Sequence, residues 1–175
     1  MNIKRNRPNI LITGTPGTGK TSLAGVIASN NEMNHIDISA AVKEKELHDG
    51  WDSEFQCYIL DEDKVCDEFE DIMVKGGNVV DHHGCEWFPE RWFDLVIVLR
   101  TDIQVLNERL EKRNYIPLKI TNNLDCEIMQ VILEEALNSY KENIVVELQS
   151  STLEDSENNQ NFIAQWIQNW FERNN

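Results

Sequence analysis

The segment from Gly14 to Thr21 reads GTPGTGKT and carries the residues with the clearest chemical meaning in the chain. It matches the pattern G-x-x-x-x-G-K-[ST], and it lies between an apolar run typical of a strand and a pattern typical of a helix. Glycines in such a loop let backbone N–H groups point at phosphate oxygens, and the helix adds its positive end. Lys20 would reach the β- and γ-phosphates, and the Thr21 hydroxyl would bind magnesium. The sequence therefore predicts a site for a nucleoside triphosphate with Mg²⁺.

A second polar group follows the short apolar run at 78–81, where the chain reads DHHG. Ligands bind at the carboxyl ends of parallel strands, so Asp81 is expected beside the phosphate loop, holding magnesium directly or through water. Alternation along an extended chain predicts that His83, rather than His82, shares the side of Asp81 and orients an attacking water. Gly84 would let the backbone pass close to phosphate. An alternative is that Asp81 and His83 only satisfy backbone groups at a turn.

Five short apolar runs alternate with longer helical patterns, and these elements must position both groups. The alternation, with strands of near-continuous Val, Ile and Leu, predicts a parallel sheet covered on both faces, a three-layer α/β domain. Strands are predicted at 9–13, 35–38, 78–81, 94–99 and 144–148, and helices at 20–30, 40–46, 61–75, 102–112, 126–141 and about 158–173. The aromatic run after the DHHG segment is interpreted as a hydrophobic wall rather than a base-binding platform; it comprises Trp87, Phe88, Trp92 and Phe93.

The composition suits one soluble domain. The chain has 175 residues, enough for one core, and no apolar run approaches the length of a membrane span or forms a secretory signal. The formal charge of −15 disfavours binding to bare nucleic acid and favours basic partners. The four cysteines lack C-x-x-C spacing, so we expect free thiols in a reducing compartment.

The type of phosphate-loop protein depends on what else the chain carries. A GTP-dependent switch would need a guanine-reading N-K-x-D motif after a late strand, and NNLD at 122–125 lacks the lysine, so this class is discounted. A kinase needs an acceptor pocket between the first helix and the third strand, and cations that neutralise the transferring group. The segment 37–60 is the candidate for the pocket, and Arg109 and Arg113 are the candidate lid cations.

Several stretches together resemble the adenylate kinase isoenzyme 6 family, also called the coilin-interacting nuclear ATPases. They are GTPGTGKTS, LHDGWDSEF, ILDEDKVCDEFE, DHHGCEWFPERWFDLVIVLR and NERLEKRNY, and the likeness extends from Pro8 to the last helix. The pattern D-x-H-G-C-x-x-F-P-E-R-W-F is its specific part. The resemblance implies a single P-loop nucleoside-monophosphate-kinase domain, with an acceptor-binding insertion at about 37–60 and a short lid at about 112–122.

The resemblance also implies an activity and a cellular setting. The activity would be ATP:AMP phosphotransfer, with other nucleoside monophosphates as further acceptors, together with ATP hydrolysis. The setting would be maturation of the small ribosomal subunit in nucleus and cytoplasm, with a basic ribosomal protein as partner. Combined with the motifs above, the resemblance assigns ATP binding to Gly17, Thr18, Gly19, Lys20, Thr21, Ser22, Arg109 and Arg113, catalysis to Lys20, Asp81, His83 and Arg113, acceptor binding to Asp37, Lys43, Gly84 and Arg91, and magnesium to Thr21 and Asp81.

Two features depart from the family's pattern. Lys43 stands where the pattern has an arginine, and it offers a point charge instead of a bidentate fork, which leaves AMP affinity open. The lid carries only Arg113 and Lys119 near Pro117, and a weak kinase activity would be consistent with so few cations.

Two alternatives for the function stay open. One is an ATP-hydrolysing assembly factor with incidental kinase activity, and the other is a kinase for a metabolite such as a nucleoside, which would make little demand on Lys43 and Arg91.

Overall fold

The computed structural model describes residues 5–174, and a five-stranded parallel sheet lies at its centre. The strands are β1 (Ile10–Thr13), β2 (Asn34–Asp37), β3 (His48–Asp52), β4 (Cys57–Leu60), β5 (Asn78–Asp81), β6 (Leu95–Arg100) and β7 (Val145–Gln149). The central sheet has the order β2-β5-β1-β6-β7, and all its neighbouring strands are parallel. The other two strands, β3 and β4, pair as an antiparallel hairpin. The predicted five-stranded parallel sheet is confirmed.

Helices cover both faces of the sheet. They are α1 (Lys20–Asn30), α2 (Ile38–Glu44), α3 (Glu62–Lys75), α4 (Ile103–Lys112), α5 (Pro117–Ile128), α6 (Val131–Ser139) and α7 (Leu153–Asn174). Asp37, Asp61 and Asp102 cap the first turns of α2, α3 and α4 by accepting bonds from backbone N–H groups. Among residues 5–174, none of the helices combines the length and the apolar character that crossing a membrane requires.

Two hydrophobic layers form because successive residues of each strand point to opposite faces of the sheet and nearly all are apolar. On one face, residues of α1 and α7 pack against alternate strand positions; this layer contains Ile10, Ile12, Leu23, Ile27, Ile163 and Ile167. On the other face, the intervening positions pack against α3 and α6; this layer contains Leu11, Val80, Phe69, Met73, Ile132 and Ala136. Phe88, Trp92 and Phe93 belong to the second layer, which confirms their interpretation as a hydrophobic wall. Trp87, which was given the same interpretation, is only partly buried against this layer and also lines a cavity.

Three elements differ from the sequence-based expectations. The helix predicted at 126–141 is two helices, because Gln130 has a φ of +57° and interrupts the chain between α5 and α6. The hairpin of β3 and β4 was not predicted, since both strands are short, partly polar and largely exposed. The last helix begins at Leu153 rather than near 158, where the Thr152 hydroxyl accepts a bond from the Asp155 N–H.

Candidate active site

The phosphate loop connects β1 to α1 and has the strand-to-helix context that its motif requires. Gly14 has a φ of +145°, and a Cβ at this position would stand 2.6 Å from the Leu99 carbonyl oxygen, so only glycine fits. Gly19 precedes α1 in the left-handed region, with a φ of +93°. No side chain in the described part of the protein caps α1. The first-turn amides of α1 are therefore available to an anion such as phosphate.

Lys20 begins α1 and is buried at the base of the loop, with 9% of its surface exposed. Its Nζ donates a hydrogen bond to the Thr15 carbonyl oxygen at 3.1 Å. Burial lowers the pKa of Lys20 to about 8; the Asp81 carboxylate opposes this shift, and the nearby Arg113 adds to it. A phosphate group beside Lys20 would favour its charged form, so this ammonium is suited to bind a negatively charged ligand.

Asp81 and Thr21 meet at the carboxyl edge of the sheet, as the sequence predicts. The Thr21 hydroxyl donates to Asp81 Oδ1 at 2.8 Å, and His35 Nε2 lies 2.5 Å from the other carboxylate oxygen. Burial raises the pKa of Asp81 above its usual value of 3.8, although the bonds from His35 and Thr21 oppose this. A hydroxyl and a carboxylate oxygen side by side are the donors that magnesium prefers, so these residues fit a magnesium site.

His82 and His83 both face the cleft, with ring centroids 4.2 Å apart. The prediction that only His83 turns toward the site is therefore wrong, because β5 ends at Asp81 and the alternation of an extended strand does not continue. His82 is buried, with Ser39 Oγ 3.5 Å from its Nδ1, and burial lowers its pKa well below 6.5. The His83 ring is exposed to the cleft. The pKa of His83 is also lowered, mainly because the walls of the cleft shield the ring from bulk water, and further by the positive charges of Lys20 and Lys119. Both imidazoles are neutral at pH 7.

Two adjoining cavities meet at these histidines. The first has a volume of about 540 Å³ and is lined by the phosphate loop and Asp81, together with side chains from the lid and the adjoining part of α5: Arg113, Tyr115, Lys119, Asn122 and Asn123. The second has a volume of about 590 Å³ and is lined by α2, the hairpin and the loop after β5, through Lys43, Trp51, Tyr58, Gly84 and Trp87. Four residues line both cavities: Ser39, Cys57, His82 and His83. A bond of 3.4 Å from Lys119 Nζ to the Gln56 carbonyl oxygen joins α5 to the hairpin.

Comparison with known proteins identifies the family. A family model described as AAA domain matches residues 10–130, so the chain carries this domain. Over all 175 residues, covering 100% of both chains, the chain is 89% identical to a protein of Dictyostelium discoideum named adenylate kinase isoenzyme 6 homolog. The chain belongs to the adenylate kinase isoenzyme 6 family. It is also 50% identical to the protein of that name from Schizosaccharomyces pombe over 169 residues, which are 97% of each chain.

A solved structure agrees with the adenylate kinase isoenzyme 6 assignment at the level of the fold. Shikimate kinase from Acinetobacter baumannii, in complex with shikimate, matches with a TM-score of 0.60 at 15% identity, over 93% of this chain and 94% of that chain. At this identity the likeness shows a shared P-loop kinase fold and no shared substrate. Family and fold together make the chain a P-loop nucleotide kinase.

The structure brings together most of the residues that the family resemblance pointed to, and it corrects three of them. Arg91 lies outside both cavities, because its guanidinium donates to Glu70 Oε1 at 2.6 Å. Arg109 also lies outside both cavities. Its guanidinium donates to the carbonyl oxygens of Gly17 at 3.3 Å and Ser150 at 2.9 Å, and so joins the phosphate loop to the segment that follows β7. The Thr18 side chain is buried within the loop. Predicted residues that do line a cavity are Gly17, Gly19, Lys20, Thr21, Ser22, Asp37, Lys43, Asp81, His83, Gly84 and Arg113.

Two residues that contact the candidate site were not predicted from the sequence. His35 bonds Asp81 from the neighbouring strand, where Asp37 pairs with Asp81 in register. Its place two residues before Asp37 on a strand beside β5 could have suggested this contact. Glu127 accepts a bond from the Thr15 hydroxyl in the phosphate loop at 2.6 Å. Nothing near Glu127 in the sequence indicates that contact, since the two residues are 112 positions apart.

Cys57 and Cys85 are expected to differ sharply in their reaction with a thiol-specific disulfide reagent at pH 8. Cys85 is fully buried and burial raises its pKa to about 12, so almost no thiolate forms, whereas Cys57 is exposed at the cleft. Mass spectrometry of labelled protein should show modification of Cys57 in the native state and of Cys85 only after unfolding. A ligand bound in either cavity should slow the labelling of Cys57, because this residue lines both. Labelling of Cys85 in the native protein as fast as that of Cys57 would contradict the burial.

Proposed function

We propose that the chain transfers the γ-phosphoryl group of ATP to AMP, or to another nucleoside monophosphate, in a magnesium-dependent reaction, and that it also hydrolyses ATP. The observation that carries this proposal is the meeting of two cavities at His82 and His83, one with the phosphate loop and the other with Lys43. ATP in the first cavity and a monophosphate in the second would bring their reacting groups together at the shared wall. Such positioning is a main source of catalysis in phosphoryl transfer.

The first cavity offers positive charge where negative charge develops on the transferring group. Lys20 and Arg113 both line it, and their cations would stabilise the phosphoryl oxygens in the transition state. Thr21 and Asp81 would hold magnesium, with phosphate and water oxygens completing its shell. When bound there, magnesium would neutralise charge on the β- and γ-phosphates. The chain's own residues would hold the triphosphate and keep its γ-phosphorus directed toward the second cavity.

The second cavity has the chemistry of a nucleotide acceptor site. Lys43 supplies a cation for a monophosphate, while Trp51, Tyr58 and Trp87 supply aromatic faces for a base. Trp51 remains 54% exposed although it lines a cavity, and it contacts Tyr58 edge to face with ring centroids 5.0 Å apart. An acceptor with neither phosphate nor base would use neither Lys43 nor these rings. This favours a nucleoside monophosphate over a simpler metabolite.

Replacing Lys43 with alanine is expected to raise KM for AMP about tenfold, because a charge-assisted bond to the phosphate is lost. ATP hydrolysis without acceptor should not change, since Lys43 lines only the second cavity. Lys43→Arg should restore AMP binding through a bidentate contact. The matched control is Lys45→Ala, which removes a lysine at the end of the same helix that pairs with Glu68 outside the cavities. Steady-state kinetics test this, and an unchanged KM in Lys43→Ala would remove AMP from the second cavity.

When no acceptor is present, ATP hydrolysis would take place beside the histidines that line both cavities. A water beside His83 would attack the γ-phosphorus, forming a new P–O bond while the bond to the β,γ-bridging oxygen breaks and ADP leaves. His83 is neutral at pH 7 because its pKa lies below 6.5, so it is able to orient this water and accept its proton. His83→Ala should therefore lower phosphate release more than it lowers transfer to AMP, whose phosphate oxygen carries no proton to remove.

A second candidate function is that of an ATP-hydrolysing assembly factor acting on a basic small-subunit ribosomal protein in nucleus and cytoplasm. The observation in its favour is charge: the chain has a formal charge of −15, and α3 exposes Glu62, Asp63, Asp67, Glu68 and Asp71. An acidic face attracts a basic partner and speeds its association. Purified basic ribosomal proteins of the small subunit would be tested for binding and for a change in phosphate release, and a tagged chain would be imaged in cells. No effect on either quantity would remove this candidate.

A further inference from the structure

Glu127 is a buried carboxylate near the end of α5, with 2% of its surface exposed. Oε2 accepts a hydrogen bond from the Thr15 hydroxyl at 2.6 Å. Oε1 accepts from Arg100 Nε at 2.6 Å and from the Thr101 backbone N–H at 3.1 Å. Arg100 also donates to the Glu127 carbonyl oxygen at 2.8 Å. A charge so deeply buried is costly unless it is paired and hydrogen-bonded, and here both oxygens are bonded, one of them to the phosphate loop.

Thr15 extends this connection to Lys20. Its carbonyl oxygen accepts hydrogen bonds from Thr18 Oγ1 at 2.8 Å and from Lys20 Nζ at 3.1 Å. Thr15 itself is buried, and its hydroxyl also lies beside the thiol of Cys126 on the same helix. One residue of the loop is thus held through its hydroxyl by α5 and touches Lys20 through its carbonyl oxygen. Buried networks of this kind fix the placement of all their members together.

Most of the length of α5 lies along the first cavity. Four residues of this helix line the cavity: Lys119, Asn122, Asn123 and Cys126. The helix runs without interruption from Pro117 to Ile128, so a displacement at Glu127 is transmitted along it. The lid residues of α5 and the phosphate loop are therefore connected through the Glu127 carboxylate.

We propose that Glu127 is a positioning residue, which couples occupation of the phosphate loop to the placement of α5 over the bound nucleotide. The inference rests on the proposed binding of ATP in the first cavity. Without the bond to Thr15, α5 would remain attached to the end of β6 through Arg100, but its position would no longer depend on the loop. Thr15, and with it the carbonyl oxygen that contacts Lys20, would lose its fixed orientation.

The bond is tested with Thr15→Val, which removes the hydroxyl at nearly constant volume and leaves the pair of Arg100 and Glu127 intact. We expect kcat for ADP formation to fall about tenfold, the effect of one lost bond to a charged group, and ATP to bind more weakly, because a coupling between two sites acts in both directions. Thr15→Ser keeps the hydroxyl and should stay within about twofold of the wild type. The matched control is Thr152→Val, which removes the hydroxyl that caps α7 and should lower Tm without lowering kcat.

Hydrogen exchange with a β,γ-imido analogue of ATP and Mg²⁺ measures the coupling without turnover. In the wild type, amides of both 14–21 and 117–128 should gain protection; in Thr15→Val only those of 14–21 should. Three results would each overturn the proposal. In Thr15→Val, they are a gain of protection at 117–128 equal to that of the wild type, or a kcat equal to that of the wild type. In Thr152→Val, it is a loss of kcat as large as that of Thr15→Val. If the wild type shows the coupled protection but makes no ADP, the proposed reaction fails and the coupling stands. If 14–21 gains no protection in the wild type, both fail.

Discussion

Replacement of Lys20 by methionine is expected to lower the rate of ADP formation about 10²–10³-fold at saturating ATP, because it removes a cation that would stabilise developing phosphoryl charge in the proposed reaction. Stability should respond in the opposite direction. Burial lowers the pKa of Lys20 to about 8 in the folded chain, against 10.5 as the ordinary value. The unfolded chain holds this proton more tightly, so the destabilisation is complete below pH 8 and is relieved as pH rises from 8 toward 10.5. The methionine variant lacks this cost, and its Tm at pH 7 should equal or exceed that of the wild type.

Separated nucleotides and a thermal melt at pH 7 measure both effects on the same sample. Lys75→Met is the matched control, because it makes the same substitution at an exposed lysine away from the site. Lys75 is the last residue of α3 and precedes β5, whose other end carries Asp81. It should leave both the rate and Tm nearly unchanged. A Lys20→Met variant that kept more than about a tenth of the wild-type rate would contradict the assignment of Lys20 to the reacting phosphates.

Asp81→Asn is expected to lower the rate of ADP formation about 10²-fold or more, since an amide replaces the carboxylate that would hold magnesium. The asparagine still accepts the bond from Thr21, so the local structure should persist. Burial raises the pKa of Asp81, so the folded chain holds this proton more tightly than the unfolded chain. The resulting destabilisation is absent below about pH 3.8 and grows as pH rises through the folded-state pKa. The variant should therefore melt at the same or a higher temperature than the wild type at pH 7.

Asp94→Asn should show the reverse pattern. Asp94 lies at the opposite edge of the sheet, where its carboxylate accepts from Arg5 at 3.0 Å and from the Asn9 N–H at 2.8 Å. Loss of the negative charge that accepts these two bonds should lower Tm and leave the rate of ADP formation unchanged. If Asp81→Asn lost stability as Asp94→Asn does, while retaining its rate, Asp81 would be a structural residue at a turn and not part of the site.

The phosphate loop and Asp81 were predictable because each depends on local sequence and one rule of parallel sheets. GTPGTGKT specifies its own backbone conformation, and the rule that ligands bind at the carboxyl ends of strands brings Asp81 to Thr21. The structure confirms this meeting with a bond of 2.8 Å. An acceptor pocket was predicted in the segment 37–60, and residues of this segment do line the second cavity. The hairpin that forms one wall of the cavity was not predicted, since short exposed strands carry little hydrophobic periodicity.

The residues that sequence analysis missed or misplaced depend on tertiary contacts. Glu127 reaches Thr15 only because α5 packs beside the loop, which no local pattern near position 127 indicates. Arg91 has the right charge for an acceptor phosphate, but Glu70 on α3 neutralises it outside the cavity. The two histidines share the cleft because the backbone leaves the extended conformation after Asp81. Residue type therefore indicated which chemistry to expect, and packing decides which of the candidate residues line the cavities.

The most direct test of phosphoryl transfer follows ADP and inorganic phosphate separately, with magnesium and ATP, in the presence and absence of AMP, for wild type and His83→Ala. The proposed function predicts that AMP raises ADP output in the wild type without a matching release of phosphate, and that His83→Ala retains this transfer while losing most acceptor-independent phosphate release. If phosphate accompanies all the ADP, and AMP has no effect, the chain is an ATPase and not a nucleoside monophosphate kinase.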